Sequence, residues 1–255
     1  MRLFCIPLML NIQQFIIPAD STLTPFVECF WMLANPSGES KPVVVLPDGR
    51  VDVHFYISPT EPFNTAIAGL DYEPTQRFIE PFSCMAAVSF KLLAVEYILQ
   101  DSLAGDLNQR RTLDNNFGGI TAQDLTDFPN FCAKLSAHIQ TLLPQKIDAK
   151  KQQMFELIYS TNGSISVSEI AETIHWSSRQ INRYFNQWFG ISLKKYCNIL
   201  RFRASLPQLQ AGKFFPDGDF TDQAHFIKEI KKYSGATPKE LARNQNDRFI
   251  QLLKP

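Results

Sequence analysis

Arg179, Asn182, Arg183 and Asn186 stand three, one and three residues apart, a spacing that places all four on one side of an α-helix. A guanidinium offers a fork of donors that matches the O6 and N7 acceptors of guanine. A carboxamide offers the donor and acceptor pair that matches adenine. Arg179, Asn182 and Arg183 are therefore candidates for reading base edges. Ser178 and Asn186 beside them, and Lys194, Lys195 and Arg201 further on, are suited to holding phosphate oxygens. An ordinary surface helix of a bundle carries the same residue types, so the spacing alone leaves both readings open.

Other candidate chemistry is weaker. Asp48, Asp52 and His54 suggest an acid/base pair or a metal site, but Asp48 falls in a turn. Asp52 and His54 fall on the polar face of an alternating strand, where the expectation is structural or merely solvated side chains. Gly118 and Gly119 lack the flanking strand and helix of a phosphate-binding loop and read as a plain loop. The five cysteines, Cys5, Cys29, Cys84, Cys132 and Cys197, are odd in number and scattered. That pattern suits free or buried thiols in a reducing cytoplasm rather than a disulfide framework. His54, His138, His175 and His225 share no ligand-like spacing with them, so neither a metal nor a cofactor is expected. A cysteine enzyme needs an activating base. Cys29 and Cys84 sit among apolar neighbours, and no catalytic residue is assigned.

The elements that must position the Arg/Asn face read clearly. An amphipathic helix over residues 147–160, with Ile147, Phe155, Leu157 and Ile158 apolar, stops at Asn162 and Gly163. Ser166 with Glu169 forms a capping box that opens a short helix, Val167–Ile174. A tight connection through His175 and Trp176 leads to Ser177 or Ser178 as the cap of the next helix, Ser178–Phe189. On that helix Ile181, Phe185 and Trp188 face inward at i, i+4 and i+7. A short helix, a tight turn and a helix with an apolar back and an Arg/Asn front make a helix-turn-helix.

The arrangement recurs 45 residues later. Under that shift Arg183 falls on Lys228, Phe185 on Ile230, Trp188 on Tyr233 and Gly190 on Gly235. Ser192 falls on Thr237, and Lys194 on Lys239. Phe226, Ile230 and Tyr233 repeat the inward spacing, while Gln223, Ala224, Lys228 and Lys232 turn outward, and Lys231 and Lys232 are further candidates for holding phosphates. Thr237, Pro238 and Glu240 cap a final helix. Leu193–Gln210 is the expected connecting helix, which Pro207 should bend or end. The copies are unequal: residues 212–219 contain Pro216 and Gly218, so a helix matching Val167–Ile174 is not expected there. Phe214 and Phe215 are candidates to plug the core that such a helix would have covered.

Charge divides the chain in the same place. The formal net charge is zero, yet residues 1–145 hold 8 Lys and Arg against 15 Asp and Glu. Residues 146–255 hold 17 against 10. This asymmetry implies two domains, 1–145 and 146–255, with a polyanion as the partner of the second. A hydrophobic content of 45% suits a folded globular chain.

The first domain reads as strands and turns. Residues 43–46, the turn Pro47-Asp48-Gly49 and Val51–Ile57 predict a hairpin. Residues 85–90 predict another strand, residues 92–99 a helix, and residues 124–143 a helix broken by Pro129 and closed by Pro144. Residues 1–10 read as a hydrophobic lead into a strand rather than an export signal, with Met9 as an alternative start. No apolar run reaches the roughly 20 residues that span a bilayer, and no membrane partner is expected. The fold class is thus α+β: a strand-rich, barrel- or sheet-like domain backed by helices, then an all-α domain with two helix-turn-helix units, the second abbreviated.

With Asp222 to Phe226 and Gly235 to Pro238 in place, residues 150–243 resemble the AraC family of bacterial transcription regulators. The resemblance puts the first reading helix on Arg179, Asn182 and Arg183 and the second on Gln223, Ala224 and Lys228. The chain departs from the family pattern at Leu193, where the family usually has Pro, and in the missing first helix of the second unit. Pro25, Phe26, Val27, Phe30 and Trp31, followed by Leu46 to Gly49, are similar to a sensor-type domain of some family members. The resemblance implies a cytoplasmic, sequence-specific binder of double-stranded DNA. It also implies a small-molecule effector, homodimerisation through the first domain and an RNA polymerase contact. Two alternatives stay open: the first domain is catalytic, or it is purely structural and senses no ligand.

Overall fold

A computed structural model of the chain describes residues 13–113, 117–214, 222–245 and 248–252. Eight strands come first: β1 (Gln13–Pro18), β2 (Val27–Asn35), β3 (Lys41–Val45), β4 (Val51–Ile57), β5 (Asn64–Ala68), β6 (Thr75–Ile79), β7 (Ser83–Phe90) and β8 (Arg110–Thr112). Six of them form one antiparallel sheet in the order β1-β2-β7-β4-β5-β8, and β3 pairs with β6 in a separate ribbon. Along β4, Val51, Val53 and Phe55 are fully buried against α1 (Phe128–Thr141), where the Phe55 and Phe131 rings meet edge to face at 5.4 Å. The alternate residues Asp52, His54 and Tyr56 point to the opposite face, which the β3–β6 ribbon covers. That face is only partly open to solvent: His54 is buried, and Asp52 and Tyr56 are half-buried.

Three expectations need correction here. β3 and β4 do not form a hairpin: β3 pairs with β6 (Val43 opposite Arg77), and β4 lies between β5 and β7. The Asp48-Gly49 turn is present, with Gly49 at φ 75°, but it turns a corner between two sheets instead of closing one pair. Asp52 and His54 are not solvated. His54 is 4% exposed, and Asp52 is buried enough that its carboxyl is pushed up to about 6. Pro129 does not break a helix. It lies in the first turn of α1, whose cap is Asp127, while residues 124–126 form a separate 3₁₀ turn. Proline is tolerated in a first turn because the amide it lacks has no partner there in any case.

The helical half follows: α2 (Ala149–Ser160), α3 (Val167–Ile174), α4 (Ser178–Phe189), α5 (Leu193–Gln210), α6 (Gln223–Ser234) and α7 (Pro238–Arg243). Of the two outcomes expected at Pro207, a bend or an end, the helix does not end there: α5 runs on to Gln210. Pro207 sits in the last turn, and its carbonyl still accepts from Ala211 N at 3.0 Å. The expectations on residues 1–10 and on residues 215–219 fall outside the described residues. Phe214 is half-buried against the core, as a plug would be. The buried apolar side chains form one continuous cluster from Phe30 and Phe55 in the strands to Phe155, Phe185 and Tyr233 in the helices. Among the described residues no helix is long and apolar enough to cross a membrane.

Candidate nucleic-acid interface

The two units are built with the same local devices. Ser166 and Glu169 close a capping box on α3, and Ser177 with Gln180 closes a second on α4. Ser177, not Ser178, is the cap. Each box satisfies amides that a helix start leaves without partners. Asp222 caps α6 by accepting from His225 N at 2.8 Å, and Thr237 with Glu240 caps α7. α4 and α6 each run 12 residues and end on a left-handed glycine, Gly190 at φ 70° and Gly235 at φ 69°. The 45-residue shift therefore maps cap, helix and stop of α4 onto cap, helix and stop of α6. α5 joins the units; its 18 residues correspond to about 27 Å of helix.

Burial sorts the predicted residues. On α4, Ile181 and Phe185 are fully buried and Trp188 is half-buried against the core. Ser178, Arg179, Arg183 and Asn186 are exposed. Asn182 differs from its neighbours, because both ends of its amide are engaged: Nδ2 donates to Ser178 O at 3.0 Å, and Oδ1 accepts from Leu193 N at 3.3 Å. It ties the start of α4 to the start of α5. On α6, Gln223, Ala224, Lys228, Lys231 and Lys232 are exposed, over a back of Phe226, Ile230 and Tyr233. Lys232 lies 3.5 Å from Glu229 and over the Tyr233 ring.

The remaining basic residues divide similarly. Lys194 is exposed. Lys195 is half-buried with its ammonium 3.2 Å from the centroid of the Tyr72 ring, so it joins the helical half to the strands. Arg201 is half-buried and donates to Asn198 Oδ1.

The strand-rich half grips the back of the first unit. Glu96 accepts from Lys151 Nζ at 2.5 Å and from Tyr184 Oη at 2.9 Å. Leu103 N donates to Trp188 O at 3.0 Å, and Ser102 Oγ to Gln187 O at 2.7 Å. A Cβ on Gly190 would lie 2.5 Å from Ala104 O, so this close approach requires glycine. Arg203 on α5 pairs with Glu28, and Tyr196 Oη donates to Gly49 O at 3.0 Å. None of these contacts involves Arg179, Arg183 or Asn186.

Sequence reasoning missed a second polar site. A cavity of about 230 Å³ lies between the large sheet and the β3–β6 ribbon, lined by Asp52, His54, Asp71, Arg77 and Arg110 among others. Ser89 Oγ donates to Asp52 at 2.5 Å, Trp31 Nε1 donates to Ser89 at 3.1 Å, and His54 Nε2 stands 3.7 Å from Asp52. Burial, with Asp48 nearby, pushes Asp52 up; burial, with Arg110 nearby, holds His54 well below its usual value. A hydrolytic triad needs its serine on the histidine, whereas here the serine is on the aspartate. Cys29 accepts from Arg50 at 3.3 Å, yet burial still raises its thiol, and it pushes Cys84 and Cys132 up to about 12. These residues come from separate strands, so no local spacing announces them.

A model for a domain of unknown function, DUF6597, matches residues 15–112, which is the stretch from β1 to β8. No curated protein matches the sequence significantly. Among solved structures the chain is similar to ToxT from Vibrio cholerae, at TM-score 0.44 and 10% identity, covering 84% of this chain and 97% of that one. A second ToxT structure gives TM-score 0.45 and 11% identity, covering 91% and 98%. A third, of ToxT bound to (E)-4-(8-methylnaphthalen-1-yl)but-3-enoic acid, gives TM-score 0.41 at 11% identity, covering 91% and 98%. At this level of likeness no activity transfers from one chain to the other.

Proposed function

We propose that the chain is a sequence-specific, double-stranded-DNA-binding transcription regulator of the AraC type, with α4 and α6 as its reading helices. The observation that carries this is the repeated unit. Two helices of equal length, each capped by a side chain and stopped by a left-handed glycine, present Arg179 and Arg183, and Gln223, Ala224 and Lys228, to solvent. Held by one connecting helix, such a pair can enter successive major-groove faces about 34 Å apart on one side of a duplex. Ser178, Asn186, Lys194, Lys231 and Lys232 would hold phosphates. Asn182 would position the helix more than read a base. Lys195 and Arg201 would reach phosphates only after leaving their present partners.

Residues 1–145 act in this reading as the controlling domain, through an effector or homodimerisation, with a polymerase contact as the output. The buried, unactivated cysteines and the absence of a triad among the described residues do not favour a catalytic first half. The test is binding of the full chain to random-sequence duplex across a salt series. The logarithm of affinity should fall linearly with that of salt, with a slope near −0.9 per phosphate contacted. Lys194→Ala and Lys231→Ala should each make the slope shallower by about one. Binding that does not respond to salt would refute the proposal.

A further inference from the structure

The regulator reading leaves the effector unnamed, and the polar cavity between the sheets limits what it can be. Some of its charges are already matched. Arg50 reaches Asp48 at 2.7 Å, and Asp52 accepts from Ser89. Others are not. Arg77, Arg110 and Asp71 all line the cavity, and among the described residues none makes a side-chain hydrogen bond or an ion pair within 4 Å. His54 is 4% exposed, and its Nδ1 has no hydrogen-bond partner. Burial and the nearby Asp48 charge push Asp71 up to about 6, against the opposing pull of Arg110 and Arg77. No group of three His, Cys, Asp or Glu side chains among the described residues is arranged to hold a metal ion.

One cavity therefore carries two guanidiniums and a carboxylate that act on one another through space without contact; Arg110 is exposed, and Arg77 and Asp71 are half-buried. A purely anionic ligand would match Arg77 and Arg110 but face Asp71 and Asp52. A purely cationic one would do the reverse. A ligand carrying both charges pairs with both signs at once, through charge-assisted hydrogen bonds. The volume suits a molecule of on the order of ten non-hydrogen atoms, and Trp31, Leu33 and Met85 give it an apolar wall.

The same cavity reaches the helical half. Ile250 and Gln251 form part of its wall. Val44 N donates to Arg248 O at 2.6 Å, Phe249 bridges to Val44, and the Gln251 amide clamps Leu46 N and O at 2.9 and 3.0 Å. Gln210, the last residue of α5, donates to Leu252 O at 3.1 Å. An occupant touching this tail touches a segment fastened to the helix that joins the two reading helices.

We infer that the cavity binds a free α-amino acid, its carboxylate held by Arg77 and Arg110 and its ammonium by Asp71, and that residues 248–252 relay occupancy to α5. The inference rests on the regulator reading only for what the relay controls. Binding is measured without DNA, by thermal shift and then calorimetry on the full chain against the common L-amino acids. At least one should raise the melting temperature by mass action. Its deaminated acid and its decarboxylated amine should each bind at least about tenfold more weakly. Asp71→Asn and Arg110→Gln should lose a similar factor; if either fails to fold, the analogue series on the parent chain decides. No binding by any amino acid at millimolar concentration, or equal binding of the deaminated acid, would overturn the assignment.

The relay is read separately, as the change in duplex affinity on adding the amino acid. Gln210→Ala should keep ligand affinity and lose most of that change. A full response in Gln210→Ala would overturn the relay. Duplex binding without ligand is scored on its own, so failure of the regulator reading is seen independently.

Discussion

Asn182 and Arg183 are adjacent in sequence and differ in what they can contact. Arg183 is exposed and free to reach a base edge, so Arg183→Ala should lose about 1–3 kcal/mol at particular base positions. Asn182 holds Ser178 O and Leu193 N, so Asn182→Ala should cost about 1 kcal/mol of stability and change base preference less. Fluorescence anisotropy on specific and random duplexes, with urea unfolding alongside, separates the two. An unchanged specific-to-random ratio for Arg183→Ala would remove its assigned role. Asp71 makes a prediction about pH. Its carboxyl titrates near 6 in the fold against 3.8 ordinarily, so the folded state binds the proton more tightly. Its contribution is most favourable at low pH and is lost as pH rises from about 4 to about 6. Relative to the parent, Asp71→Asn should gain stability across that window and hold a constant advantage above it. Urea midpoints measured across the window check this. The place of Asp71 in the cavity wall was not legible in the sequence, nor was the cover over Asp52 and His54. Alternation on a strand says that two faces differ, but not that a second sheet covers the polar one.

The helices were the most legible elements, because each carries its own start and stop. Ser166 with Glu169, Ser177 with Gln180 and Thr237 with Glu240 are boxes that can be read from spacing, and all three form. The strands were legible as strands, but not in their pairing. The turn at Pro47-Asp48-Gly49 marks a change of direction without saying which strand receives the chain. The partner of β3 comes from residues 75–79, and its other neighbour is a tail some 200 positions away, seen in Leu46 bonding to Gln251. Two substitutions test the element account. Ser177→Ala should destabilise the chain by about 1 kcal/mol through loss of the α4 cap. Gly190→Ala should cost more, since it meets both a left-handed backbone and the Ala104 carbonyl. Urea unfolding of both variants ranks them, and equal stability of Gly190→Ala with the parent would contradict the close packing of α4 on residues 101–107.

At the scale of the molecule, the two halves share one buried cluster, and the strand-rich half touches the ends of both α4 and α6. Ala104 lies against Gly190 at the end of α4, and a Cβ on Gly235 at the end of α6 would lie 3.8 Å from Pro74. The exposed faces of α4 and α6, with Arg179, Arg183, Gln223 and Lys228, carry none of these supporting contacts, which under the proposed function leaves them free for a duplex. The charge asymmetry is what made a polyanion the expected partner of residues 146–255. It did not reveal the tail of residues 248–252, which carries no motif and yet forms part of the wall of the polar cavity. The most direct test of sequence-specific reading is selection by the full chain from a pool of random duplexes. The account predicts enrichment of two short half-sites one helical turn apart, with the site for α4 the more sharply defined. A pool that remains random after repeated rounds would contradict it.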